Sequence, residues 1–142
     1  MALLADEAKI RGASRVNLDA LRRWPVPIQP ASSVTLWRRW SRARNRTGLV
    51  LDAMLGTGVE GRVREPVLSA IRWINRQRCP VVAMDVPSGL SSDTGLPCGA
   101  AVRATETVTC GLPKVGLMKG RGKEFSGRVR VADLSLPRAL TR

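Results

Sequence analysis

The chain has no histidine and no tyrosine among its 142 residues. That excludes Ser-His-Asp and Cys-His nucleophilic sites built from this chain alone, and every histidine-ligated metal centre. Cysteine is scarce and odd in number. Cys79, Cys98 and Cys110 form no CxxC pair, so neither a zinc knuckle nor a dithiol redox site is expected. A reducing, cytoplasmic setting fits this usage. Long apolar runs are missing as well. None approaches the roughly 18 residues that a membrane-spanning helix needs, so no membrane partner is expected. The stretch from Met1 to Arg11 carries Asp6 and Glu7 and no long apolar core, unlike a secretory signal.

What is present is ordinary in amount and unusual in sign. Hydrophobic residues make up 44% and charged residues 25%, as in a globular protein. The length suits one domain, residues 1–142, large enough to bury a core. The net charge is +13, and arginine outnumbers lysine heavily among the 24 basic residues. The excess is spread along the chain rather than gathered in a tail. One dense run, Arg38, Arg39, Arg42, Arg44 and Arg46, interleaves with Trp37 and Trp40. It reads either as the solvated face of a helix or as a patch for anionic cofactors or nucleic acid, with the tryptophans stacking on bases. No nucleic-acid motif accompanies it, and nucleic acid is not an expected partner.

Two zones differ in texture. Residues 1–47 are Arg-rich and weakly patterned. Ala8 to Trp24 reads as a helix stopped by Pro25 and Pro27. Val26-Pro27-Ile28 reads as a short edge strand. Ser33 is placed to cap a second helix from Val34 to Arg44. From Gly48 onward, apolar runs alternate with turns. Gly48 to Leu55 and Pro80 to Val86 suit strands buried on both faces of a parallel sheet. Between them, Pro66 opens a helix whose stripe is Val67, Ala70, Ile71 and Ile74. Ala104 to Cys110 and Gly127 to Asp133 read as two further strands, the last near an edge. The expected architecture is α/β, a Rossmann-like three-layer sandwich on a mostly parallel sheet, with a right-handed βαβ crossover.

In such sheets ligands gather at the carboxyl ends of strands. Two polar clusters fall there. Asp52 is followed by Gly56-Thr57-Gly58-Val59-Glu60-Gly61-Arg62, where glycines let backbone N–H groups approach a ligand and Arg62 suits phosphate. The spacing matches no standard phosphate loop, and a plain turn uses the same glycines. The second cluster is Asp85-Val86-Pro87-Ser88-Gly89. A carboxylate near a buried strand end must be paired, ligated or open to a cleft, and an Asx turn is the simpler account. Carboxylate, hydroxyl and carbonyl oxygens together suit a hard cation. Lys114 reads as a surface lysine, with the same cleft as the other option. Cys110 reads as a core residue, and Lys119 to Lys123 as a plain loop.

Several segments occur in one order: Leu51-Asp-Ala-Met-Leu-Gly-Thr-Gly58, Arg64-Glu-Pro66, Met84-Asp-Val-Pro-Ser-Gly89, Thr107-Val-Thr109, Lys114 and Asp133-Leu-Ser-Leu-Pro137. That order resembles the NAD(P)H-hydrate epimerase family, the YjeF N-terminal domain. The likeness is strong over residues 48–137 and looser over residues 1–47. It implies an isomerase that interconverts the R and S forms of hydrated NADH and NADPH, a step in nicotinamide cofactor repair. It implies a potassium ion held with Asp52 and Ser88, a substrate lined by Gly56 through Arg62, and substrate contact at Asp85. A separate dehydratase acting on the product and a homodimer are its implied partners. Asp52 and Asp85 both remain open as the acid–base group. The family begins with a strand and helix bearing an Asn-rich, Gly-Gly-Asp-Gly phosphate loop, which this sequence lacks. The expected domain is therefore N-terminally truncated, with one strand edge unpaired. A shortened relative that binds without turnover is the alternative reading, and an anion or nucleic-acid binder a further one.

Overall fold

The computed structural model describes residues 1–44 and 47–135. The elements run β1 (Ala2–Leu3), a 3-10 turn (Glu7–Lys9), α1 (Gly12–Leu21), β2 (Gln29–Pro30), α2 (Val34–Arg42), β3 (Val50–Asp52), α3 (Val67–Ile74), β4 (Val81–Met84), β5 (Glu106–Cys110), α4 (Val115–Met118), α5 (Gly122–Ser126) and β6 (Arg128–Ala132). β3, β4, β5 and β6 form one sheet in that order, and each pairing is parallel. β3 is therefore an edge strand among the described residues. β1 and β2 make a separate two-stranded parallel sheet. The Rossmann-like α/β reading holds, with β3, α3 and β4 as its βαβ unit.

Strand alternation and register divide the sheet into two unlike faces. Val50, Asp52, Val81, Ala83, Thr107 and Thr109 share one face, and all are buried. Ile71 and Ile74 of α3 cover its Val50–Val81 end. Leu117 of α4 and Phe125 of α5 join Val86, Leu90 and Ala101 in a second cluster. On the other face stand Leu51, Val82, Met84, Val108, Arg128 and Arg130, none of them buried. The described residues thus place their helical cover on one side of the sheet, which corrects the expectation that the runs from Gly48 and Pro80 are buried on both faces: Leu51 and Met84 are exposed.

Local chemistry explains the helix starts. The Ser33 hydroxyl accepts from the Leu36 amide at 3.2 Å, as expected of a cap on α2. The Glu65 carboxylate accepts from the Ser69 amide at 3.1 Å and satisfies an orphan donor of α3. Trp37 is 4% exposed and stacks on Trp40 at 5.2 Å. Both meet Trp73 of α3 edge-on at 5.7 Å. These rings are core, which overturns the base-stacking reading. Arg38, Arg39 and Arg42 are exposed on the solvated side of α2, and the Arg44 guanidinium lies 4.1 Å from the Trp40 ring centre. Arg46 lies outside the described residues.

Three further expectations need correction. The first helix is shorter than Ala8 to Trp24, because Ile10 and Arg11 are extended and split it from the preceding 3-10 turn. The edge strand falls at Gln29–Pro30 rather than Val26–Ile28. Its ladder uses the amides of Gln29 and Ala31, which donate to the Met1 and Leu3 carbonyls, and so needs no donor from Pro30 between them. The stretch Lys119 to Lys123 is not a plain loop, since α5 begins at Gly122. There the α4 and α5 backbones touch, and a Cβ at Gly122 would run into the Gly116 carbonyl oxygen. Leu136 and Pro137, the end of the last quoted motif, lie outside the described residues.

Ile71 is fully buried, so Ile71→Ala should lower stability by about 2–5 kcal/mol. Val16→Ala, at an exposed position of α1, should stay within about 0.5 kcal/mol of the parent. Urea denaturation of the two variants measures both.

Candidate functional site

The carboxyl ends of β3 and β4 are joined by one residue pair. Asp52 and Ser88 are each 1% exposed. The Ser88 amide donates to Asp52 Oδ2 at 2.8 Å, and its hydroxyl donates to Oδ1 at 2.5 Å. The Leu55 amide donates to the same hydroxyl at 2.9 Å. The Met54 amide approaches Oδ1 at 3.4 Å. Burial pushes the Asp52 carboxyl above its usual range, and the Ser88 and Met54 hydrogen bonds pull it partly back.

Asp85 follows β4 in a different environment. Its φ is 66°, a left-handed conformation uncommon for any residue but glycine, asparagine or aspartate. Its amide donates to the Val108 carbonyl at 2.8 Å, extending the ladder by one bond. Its side-chain Oδ1 accepts from Thr109 Oγ1 at 3.1 Å, the Cys110 amide at 3.1 Å and Lys114 Nζ at 2.5 Å. Partial burial favours the neutral acid. The Lys114 hydrogen bond, the Cys110 and Thr109 bonds and the Lys114 charge outweigh it, holding the carboxyl below its usual range.

Lys114 is thus no free surface lysine. It is 22% exposed against 28% for Asp85, and it also donates to the Cys110 carbonyl at 2.9 Å. Cys110 is half-buried and contributes backbone atoms to this cluster. Thr109 and the Cys110 amide were not legible as site groups. The only hint was Thr107-Val-Thr109, in the run that forms β5.

The glycine-rich loop forms a cleft of about 590 Å³ lined by Gly56, Gly58, Val59, Glu60, Gly61 and Arg62, with neighbours on either side. Thr57 is not among its lining residues, and neither are Asp85, Ser88 and Lys114. The loop is tied at both ends. Leu55 is bonded to Ser88 at its root, and the Val63 amide donates to the Cys98 carbonyl at 2.9 Å. The structure therefore joins Asp52, Ser88 and the loop root in one cluster, and Asp85 and Lys114 in another. Only Val86 and Pro87 separate Asp85 from Ser88, so the two clusters flank a single turn.

Removing the Ser88 hydroxyl leaves Asp52 Oδ1 and the Leu55 amide short of a partner. Ser88→Ala should lower stability by about 1–3 kcal/mol. The sign of its pH dependence follows from burial. A raised carboxyl binds its proton more tightly when folded, so the stability it confers is present in acid and lost as pH rises through its titration. Ser88→Ala removes a group that favours the charged form, so its deficit should be larger at pH 7 than at pH 4 in denaturant melts.

Residues 1–116 match the family described as YjeF-related protein N-terminus. A Salinibacter ruber bifunctional NAD(P)H-hydrate repair enzyme is 50% identical over 92 residues, covering 65% of this chain and 17% of that protein. A Limosilactobacillus reuteri NAD(P)H-hydrate epimerase is 47% identical over 89 residues, covering 63% of this chain and 42% of that protein. An Oenococcus oeni NAD(P)H-hydrate epimerase is 34% identical over 138 residues, covering 94% of this chain and 60% of that protein. The crystal structure of yeast YNL200c superposes with a TM-score of 0.66 at 19% identity, over 87% of this chain and 50% of that one. The chain spans less than half the length of the first curated relatives it matches. The family match runs from Met1 through the Arg-rich zone and on past both aspartate clusters, so the chain belongs to the YjeF-related N-terminal family.

Proposed function

We propose that this chain acts as an NAD(P)H-hydrate epimerase, interconverting the R and S forms of hydrated NADH and NADPH. The observation that carries the reading is Asp85, a carboxylate held ionised at a parallel strand end, close in the chain to the turn that roots a glycine-rich cleft. The names of the Limosilactobacillus and Oenococcus relatives support it.

The hydrated carbon bears a hydroxyl beside the ring nitrogen. Epimerisation requires that hydroxyl to leave as water, the nitrogen lone pair to form an iminium-like cation, and water to return on the other face. The departing hydroxyl takes its proton from solvent, and the water that re-adds gives a proton up to the ionised Asp85, which releases it to solvent, so the cycle consumes none. Asp85 is the group assigned to carry that proton, and its charge opposes the developing cation. Asp52 is buried and bonded to Ser88, and in this reading it supports the loop and its ion rather than touching substrate. Gly56 through Arg62 would line the dinucleotide, with Arg62 toward phosphate.

A potassium ion fits the oxygen set of Asp52, Ser88 and the Leu55 carbonyl. All are hard donors, and a single carboxylate suits a monovalent charge. When bound, the ion neutralises a buried carboxylate and fixes the root of the loop. A cytoplasmic setting, a homodimer and a separate dehydratase that consumes the S form complete the proposal. With Trp37 and Trp40 in the core, a nucleic-acid role loses its stacking groups.

The test supplies R-form hydrated NADH with potassium, coupled to an S-specific dehydratase. NADH should form faster than spontaneous epimerisation allows. Asp85→Asn should lower the rate by about 10²–10⁴-fold. Replacing potassium with tetramethylammonium should slow the parent and leave Asp52→Asn little changed. No turnover from a folded, monodisperse sample would assign the chain to a binding-only relative.

A further inference from the structure

We infer that Lys114 is a positioning residue for Asp85. It clamps one carboxylate oxygen and leaves the other as the acceptor that meets the substrate. The inference rests on the epimerase reading for its kinetic consequence and on geometry for the clamp itself.

The two oxygens of Asp85 are treated unequally. Oδ1 takes three donors, from Thr109, Cys110 and Lys114. Oδ2 accepts no hydrogen bond from the described residues. Three donors from one direction fix the plane of the carboxylate as well as its charge. The backbone is fixed too, because the left-handed Asp85 is held by its amide bond to Val108. The side chain is therefore constrained at both ends, and only Oδ2 has capacity for another proton.

Lys114 is itself held in place. β5 ends at Cys110, and Gly111 takes a φ of 70° to reverse the chain. The Leu112 amide then donates back to the Cys110 carbonyl at 2.9 Å, and the Lys114 carbonyl accepts from the Leu117 amide at 3.0 Å as α4 begins. The ammonium bridges Asp85 and the Cys110 carbonyl, so two acceptors fix its position. Arginine has the charge but a longer, planar head, and methionine has the stem without the charge.

The groups facing Asp85 are few. β5 presents the Thr109 hydroxyl and, at Cys110, a backbone amide beside a thiol. The turn after β5 presents Lys114. Asp52, at the end of neighbouring β3, has its oxygens taken by Ser88 and Met54. Among the described residues, Lys114 is the one charged side chain within ion-pair distance of Asp85.

The experiment follows the Asp85 carboxyl carbon by NMR through a pH titration in the parent, Lys114→Met and Lys114→Arg. Coupled epimerase pH profiles are recorded on the same samples. In Lys114→Met the Asp85 midpoint should rise by about one pH unit or more. The acid limb of kcat/KM should rise by the same interval, with activity partly regained at higher pH. Lys114→Arg should keep the low midpoint and recover part of kcat. A midpoint equal in parent and Lys114→Met overturns the inference. So does a fall in kcat at every pH with an unmoved acid limb, which is what a merely structural lysine would give. Should Lys114→Met fail to fold, Lys114→Gln keeps a donor without the charge and carries the same comparison. If the parent shows no turnover, the epimerase reading fails, and the NMR midpoints alone still decide the clamp.

Discussion

A carboxylate taken out of water must find donors, and Asp52 finds them in Ser88. Much of the site geometry depends on that pairing. It ties the end of β3 to the turn after β4, across 36 residues of sequence. The same Ser88 hydroxyl receives the Leu55 amide, so the glycine-rich loop is rooted at the same point. The loop then spans to its second tether at Cys98. One buried polar pair therefore sets where the cleft begins, and through the short Asp85–Ser88 turn it sets where the Asp85 carboxylate stands.

Two aspartates at neighbouring strand ends are driven in opposite directions. Asp52 is enclosed, and burial favours its neutral form. Asp85 is partly open and cationically clamped, which favours its charged form. Environment sets the charge preference of each carboxylate where the residue type cannot.

Much of the sheet was legible because its strands are continuous apolar runs separated by turns. The runs at Gly48, Pro80, Ala104 and Gly127 each yield a strand, trimmed by a few residues. Both aspartates were legible as strand-end carboxylates. What was not legible depends on contacts far apart in the chain. Lys114 reaches Asp85 only through the reversal at Gly111 and the β4–β5 register. Trp37 and Trp40 alternate with arginines and look like a binding stripe, until Trp73 of α3 packs on both. α5 begins in a glycine-rich basic stretch, and its helical form rests on the close approach of Gly116 and Gly122. No periodicity within those segments carries that information.

The all-parallel pairing of the main sheet bears on how the chain finds its fold. No two neighbours in that sheet are joined by a hairpin. The first ladder, Val50 beside Val81, requires closing a loop of some thirty residues before any of its bonds can form. The entropy of that closure is met mainly by α3, whose Ile71 and Ile74 lie over both strands. Folding should accordingly be slow for a domain of this size, with its rate set by the docking of α3 rather than by local turn formation.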